Sequence, residues 1–325
     1  MGTAMVSVML YHTSIGKFCY LPFPIAEIFL YYGHWGVDIF LFLSGFGICY
    51  SLKNDQNNIL SFWMRRLCRI MPSCLIVGWV LIALSSSFSY NPETIIKAIG
   101  LHEWYIRCIL LYYTLSPILA WYFSKINKIK ALILIILFSA ILTCIVQWMF
   151  TNNVCAIRES IFYLFKGTIM FSISRFPAFA FGFYIADNAQ WKGSFFSRKT
   201  YLITSIISCI VALLGHALAF SGAKYGCYFR FLSYVFLAVS IPLILWTAIH
   251  SLQFFPKLIC KLLVWIGMYS LEIFLLHNII FQWINSYHIC NDNCFIYIIL
   301  SFSLSFLSAY ILRKIIHTSK YLRKR

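Results

Sequence analysis

Residues 34–50 read HWGVDIFLFLSGFGICY, an apolar run with a single carboxylate, Asp38, at its mouth and no further charge before Lys53. From Gly36 to Leu52 the run is long enough for a helix of about 25 Å, close to the roughly 30 Å hydrocarbon core of a bilayer. A stretch this apolar reads as a membrane span, and its lone acid then needs an explanation. Ionisable side chains inside spans cost free energy, so each is a functional candidate by default.

Runs of the same kind recur along the whole chain. Spans are predicted at about 2–16, 36–52, 73–90, 103–123, 131–150, 169–186, 201–220, 231–249, 262–281 and 294–312. The composition agrees: 62% of residues are hydrophobic and 11% charged, whereas soluble domains carry about 25% charged residues. Lipid leaves backbone groups without water partners, so the spans should be helices. The expected fold class is an all-α polytopic membrane protein with about ten transmembrane helices. No second composition regime, repeat or linker appears, so residues 1–325 read as a single integral-membrane domain with no appended soluble domain.

The formal net charge of +17 raises the question of nucleic acid. Sorting the 26 basic residues by predicted loop answers it. Eighteen fall on one side, six on the other, and Arg107 and Arg175 lie inside spans. That bias is the positive-inside pattern, which places both termini in the cytoplasm and accounts for the basic charge without DNA or RNA. Twelve cysteines lie mostly within apolar runs, where cysteine acts as a small hydrophobe. Cys290 and Cys294, in CNDNC, form a weak metal or disulfide signal, and the expectation is ordinary cysteines with no metal site.

The ionisable residues inside spans are few. His12 ends the first span and Asp38 opens the second from the same outer side, so the two are placed to meet. A carboxylate accepting from one imidazole nitrogen raises the basicity of the other, as a general base requires. Asp38 equally suits a helix N-terminus, and the two roles are compatible. Arg66 and Arg69 are three apart beside Arg65, on one face if helical. They suit a phosphate-rich ligand, though an inner boundary requires arginines for topology alone. Arg107 sits four residues after Glu103, a spacing at which the two could simply neutralise each other if helical. Arg175 lies too deep for a topology signal. Ser270 and His277 share a face, Glu272 points elsewhere as a candidate partner for Arg175 or Arg107, and His216 reads as a packing histidine.

Six stretches in order carry a resemblance: GTAMVSVMLYH (2–12), GVDIFLFLSGF (36–46), FWMRRLCRIMP (62–72), EWYIRCILLYYTLSP (103–117), RFPAFAFG (175–182) and IGMYSLEIFLLH (266–277). Together they resemble the acyltransferase-3 family of membrane acyltransferases over nearly the full length. The resemblance implies a ten-helix enzyme that moves an acyl group, usually acetyl, from cytoplasmic acyl-CoA to a hydroxyl of a surface or lipid-linked glycan. It implies His12 and Asp38 as catalytic residues and Arg65, Arg66 and Arg69 as the acyl-CoA site. Trp104, Arg107, Arg175, Ser270, Glu272 and His277 become candidates for the pore or substrate path. No tightly bound cofactor is implied, and acetyl-CoA or another acyl-CoA serves as donor. The implied partners are membrane lipid and the glycan, in a bacterial cytoplasmic membrane.

One departure stands out. The family carries a basic residue, typically arginine, eleven positions before the histidine, where this chain has Met1. On a helix that position shares a face with His12, about 16 Å along the axis. The first span is also short. These two features leave open an upstream start and a weakened or non-catalytic member. A glycan or solute carrier using the same intramembrane charges is the third reading. Nothing in the sequence specifies an oligomeric state, the glycan, or acetyl over succinyl.

Overall fold

Backbone amides in lipid must be satisfied within their own segment, and every regular element among the described residues is accordingly helical. The computed structural model describes residues 1–15, 31–54, 59–84, 92–152, 161–187, 199–220, 226–286 and 294–322. The helices are α1 Gly2–Ile15, α2 Gly36–Asn54, α3 Ile59–Leu84, α4 Pro92–Ala98, α5 Trp104–Lys125 and α6 Lys128–Thr151. They continue as α7 Ile161–Asp187, α8 Lys199–Phe220, α9 Gly226–Leu252, α10 Lys257–Met268, α11 Ser270–Ser286 and α12 Cys294–Leu322. A 3-10 turn at Tyr32–Trp35 leads into α2.

Eight of these helices are long and apolar enough to cross a membrane, and nine if α10 and α11 count as one broken span. Of the ten predicted spans, the first is short, as the sequence indicated, and two others differ in continuity or bounds. At fourteen residues, α1 is about 21 Å long, well short of the hydrocarbon core. The run drawn at 262–281 is two helices meeting at 84°. The span drawn at 73–90 begins instead at Ile59, running straight through Arg65, Arg66, Arg69 and Pro72. Interior prolines also occur in α5, α7 and α9, at Pro117, Pro177 and Pro242. Spans tolerate them because neighbouring helices and hydroxyl side chains satisfy the freed carbonyls. Cys290 and the side chain of Cys294 lie outside the described residues.

The chain forms two compact units. The first comprises Met1–Phe40, Leu67–His102 and Phe254–Arg325, the second Leu41–Arg66 and Glu103–Gln253.

In the first unit α1 packs on the 3-10 turn, α10 and α11, and α11 packs on α12. Two glycines let the chain leading into α2 lie directly on α1. A side chain at Gly33 would overlap the Ser7 carbonyl, and one at Gly36 the Ala4 carbonyl. Small residues substitute for hydrophobic drive inside lipid, because close backbone approach is what gains dispersion energy there. The α10–α11 break is closed by Arg313 of α12. Its guanidinium donates to the Met268 carbonyl at the end of α10 and lies 4.8 Å over the Tyr269 ring. A cation at a helix C-terminus satisfies the orphan carbonyls and the dipole together.

In the second unit α7 is the most enclosed span. It packs against α5, α6 and α9, and α9 packs against α8. Reciprocal glycines set its contact with α2: a side chain at Gly45 would overlap the Phe179 carbonyl, and one at Gly182 the Phe42 carbonyl. The turn from α5 to α6 is capped by Asn127, whose side chain accepts from the amides of Ile129 and Lys130 at 3.1 and 3.3 Å. One ion cluster joins three helix ends, with Asp187 of α7 bound to Lys53 of α2 at 2.9 Å and Lys128 of α6 at 2.7 Å.

Candidate active site

His12 stands in the last turn of α1. Its ring lies edge-on to two aromatic neighbours, Tyr11 at 5.2 Å and His277 of α11 at 4.9 Å between centroids. Among the described residues no hydrogen bond ties up either of its nitrogens. Tyr11 in turn contacts the rings of Tyr31 and His34 at 5.8 and 5.0 Å. His34 is buried and donates from Nδ1 to the Tyr31 carbonyl at 2.6 Å. The sequence reading passed over His34, whose only signal was its place in the aromatic run YYGHW.

Asp38 is fully buried in the first turn of α2, where the helix dipole favours an anion. The register with α1 is antiparallel, with Gly33 facing Ser7 and Tyr11, and Gly36 facing Ala4 and Val8. Asp38 is therefore level with the first turn of α1, about 12 Å along the axis from His12. No hydrogen bond joins the two in this structure; the structure brings His277, not Asp38, beside His12.

The remaining candidates of the first unit lie on α11. Ser270 opens that helix, half-buried, and His277 follows two turns later on the same face. Glu272, in the first turn, accepts from the Ser73 hydroxyl at 3.3 Å. Its buried carboxyl thus has a partner on α3 and a favourable helix terminus. Arg69 is exposed on α3.

In the second unit Trp104, Arg107 and Arg175 come together around α7. Arg175 is 2% exposed, and its guanidinium lies over the rings of Tyr234, Phe171 and Trp104 at 4.0, 5.2 and 5.3 Å. Desolvated cation–π contacts of this kind offset part of the cost of burying charge. Trp104 packs on Phe171 at 4.4 Å, and Arg107 donates from Nε to the Thr168 hydroxyl at 2.7 Å. His216 takes the expected packing role, held by the Ser233 hydroxyl at 2.6 Å and the Tyr234 ring.

The α3 arginines of this unit differ from each other. Arg65 is exposed, whereas Arg66 is half-buried over the rings of Phe62 and Tyr113, each at 5.8 Å, and donates to the Gly47 carbonyl at 3.4 Å. Arg66 is thereby held in one orientation. Between α5, α6 and α7 lies a cavity of about 480 Å³ lined by Leu111, Leu115, Phe138 and Phe176, with Ser139 and Ser172 at its polar edge. Its apolar lining suits a hydrocarbon chain, not a sugar.

No curated protein and no solved structure matches the chain. The acyltransferase-3 family model, described as an acyltransferase domain, matches residues 2–314. With nearly its whole length matched and eight apolar spanning helices, the chain belongs to the acyltransferase-3 family and is a multi-pass membrane acyltransferase.

Proposed function

We propose that this acyltransferase moves an acyl group, acetyl in the first instance, from cytoplasmic acyl-CoA to a hydroxyl of a surface or lipid-linked glycan, with His12 as the reacting imidazole. The observation that carries the reading is the state of His12. It is an imidazole inside a membrane unit with both ring nitrogens uncommitted among the described residues, lying against a second histidine. A base needs such a lone pair within reach of the proton it takes.

In direct transfer, His12 accepts the hydroxyl proton as the oxygen attacks the thioester carbonyl. The tetrahedral intermediate collapses, the carbon–sulfur bond breaks, and the departing thiolate takes the proton from His12. Alternatively a His12 nitrogen attacks the thioester carbonyl, the carbon–sulfur bond breaks and the thiolate leaves with the proton of the other ring nitrogen. The hydroxyl then attacks the acyl-imidazole, and its proton passes to the departing imidazole. Asp38 supplies negative charge in the same unit at range. Arg65, Arg66 and Arg69 of α3 suit the phosphates of CoA, with Arg66 pre-oriented by its two aromatic rings. Trp104, Arg107 and Arg175 would line the path of an anionic or sugar group.

The test uses labelled acetyl-CoA with glycan-bearing membranes, comparing the wild type with His12→Ala. Glycan label in the wild type that falls at least about hundredfold in His12→Ala supports the reading. Label that persists in His12→Ala removes His12 from the chemistry, and a wild type that carries glycan without consuming acyl-CoA replaces the enzyme with a carrier.

A further inference from the structure

We infer that His277 is the positioning residue for His12, its Nε2 lone pair accepting a hydrogen bond from a ring N–H of that imidazole; the functional consequence rests on the reading of His12 given above. His277 is 2% exposed on α11. Its Nδ1 lies 2.8 Å from the Phe274 carbonyl and 3.1 Å from that of Ile273. Carbonyl oxygens only accept, so Nδ1 carries the proton, and in a neutral imidazole Nε2 is then a bare acceptor. That Nε2 is buried and has no hydrogen-bond partner among the described residues. Buried acceptors without a donor are rare enough that each asks for one.

His12 is the polar ring beside it, 4.9 Å away between centroids at an interplanar angle of 65°. The other rings around His277, Phe274 and Phe281, both 5.7 Å away, have no proton to give. The outer torsion of a histidine side chain is soft. Turning the His12 ring about that bond, with α1 in place, presents an N–H to Nε2. Catalytic hydrogen bonds commonly close only in the substrate complex.

Once this bond is made, His12 has one tautomer and one free nitrogen, the one that meets substrate. When that nitrogen takes the hydroxyl proton, both nitrogens of His12 carry hydrogen, and the lone pair of His277 holds the resulting cation. Two backbone carbonyls hold His277 in turn. The arrangement does what a carboxylate–imidazole pair does while bringing no net charge into the membrane, where an unpaired anion is costly.

The experiment is nitrogen NMR of the histidine-labelled full chain in lipid nanodiscs, with kinetics on the same samples. The expected spectrum shows His277 protonated at Nδ1 and His12 in a single tautomer, which becomes a mixture in His277→Phe. In transfer, His277→Phe should lower kcat roughly hundredfold with KM for acyl-CoA within about twofold. His277→Gln, whose amide oxygen can accept where Nε2 stood, should recover about a tenth or more of wild-type kcat. A His277 protonated at Nε2, a His12 signal indifferent to His277→Phe, or a wild-type kcat in that variant overturns the inference. If the wild type transfers nothing, the acyl-transfer reading fails, and the spectra still decide whether the imidazole pair exists.

Discussion

At the residue scale the proposed chemistry rests on a guanidinium and an imidazole, and each is defined by its neighbours. Arg66 is seated over Phe62 and Tyr113, a contact that depends on its flat, weakly hydrated head. Arg66→Ala should raise KM for acyl-CoA about tenfold with little change in kcat, and Arg66→Lys should fall closer to Ala than to wild type. Steady-state kinetics in detergent check both. Arg175 rests on three aromatic rings. Arg175→Lys keeps the charge but concentrates it on an ammonium that is harder to strip of water, so it should lower thermal stability by about 1–2 kcal/mol, read from unfolding in detergent. The sequence named both arginines and could not name their aromatic seats. Tyr113 is 47 residues from Arg66 and Tyr234 is 59 from Arg175, so only the packing of α5 and α9 brings them in.

Helices meet through small residues and break where a partner can hold the break. The α2–α7 contact is set by Gly45 and Gly182 against each other's backbone. Gly182→Val should therefore destabilise the second unit by about 1–3 kcal/mol, seen as early loss of the monodisperse peak on heating, whereas a substitution at exposed Ile141 should not. The α10–α11 break depends on Arg313 holding the Met268 carbonyl. Arg313→Met keeps much of the bulk and removes the donor, so it should cost about 1–3 kcal/mol. Hydropathy drew one span across this break because its residues are apolar on both sides of Tyr269. A window average carries no information on direction. Nor did composition show that α3 begins before its arginines, because a basic run at a membrane boundary looks the same in a loop or on a helix.

For the whole molecule the question is which end faces the cytoplasm. The basic-residue bias predicts that the Lys53–Asp187–Lys128 cluster, which ties three helix ends of the second unit to one side, lies on the cytoplasmic face. A membrane-impermeant amine reagent should label Lys53 and Lys128 in inverted vesicles and leave them unmodified in intact cells, scored by peptide mass. The opposite result would invert the topology. Asp187 escaped the sequence reading because one acid at the end of an apolar run has no pattern of its own; its two lysines come from α2 and α6.

What the sequence determined alone is local: helical class, the positions of most spans and the family, with His12, Asp38 and the arginines marked as candidates. Each of these is written in contiguous residues, because hydropathy, charge bias and motif order are local properties. Tertiary structure decided which of them meet. The antiparallel register at Gly33 and Gly36 moved Asp38 two turns from His12, and the packing of α11 on α1 put His277 in its place. That choice follows from where backbones approach closely enough to pack, a relation between segments 265 residues apart that no local pattern encodes.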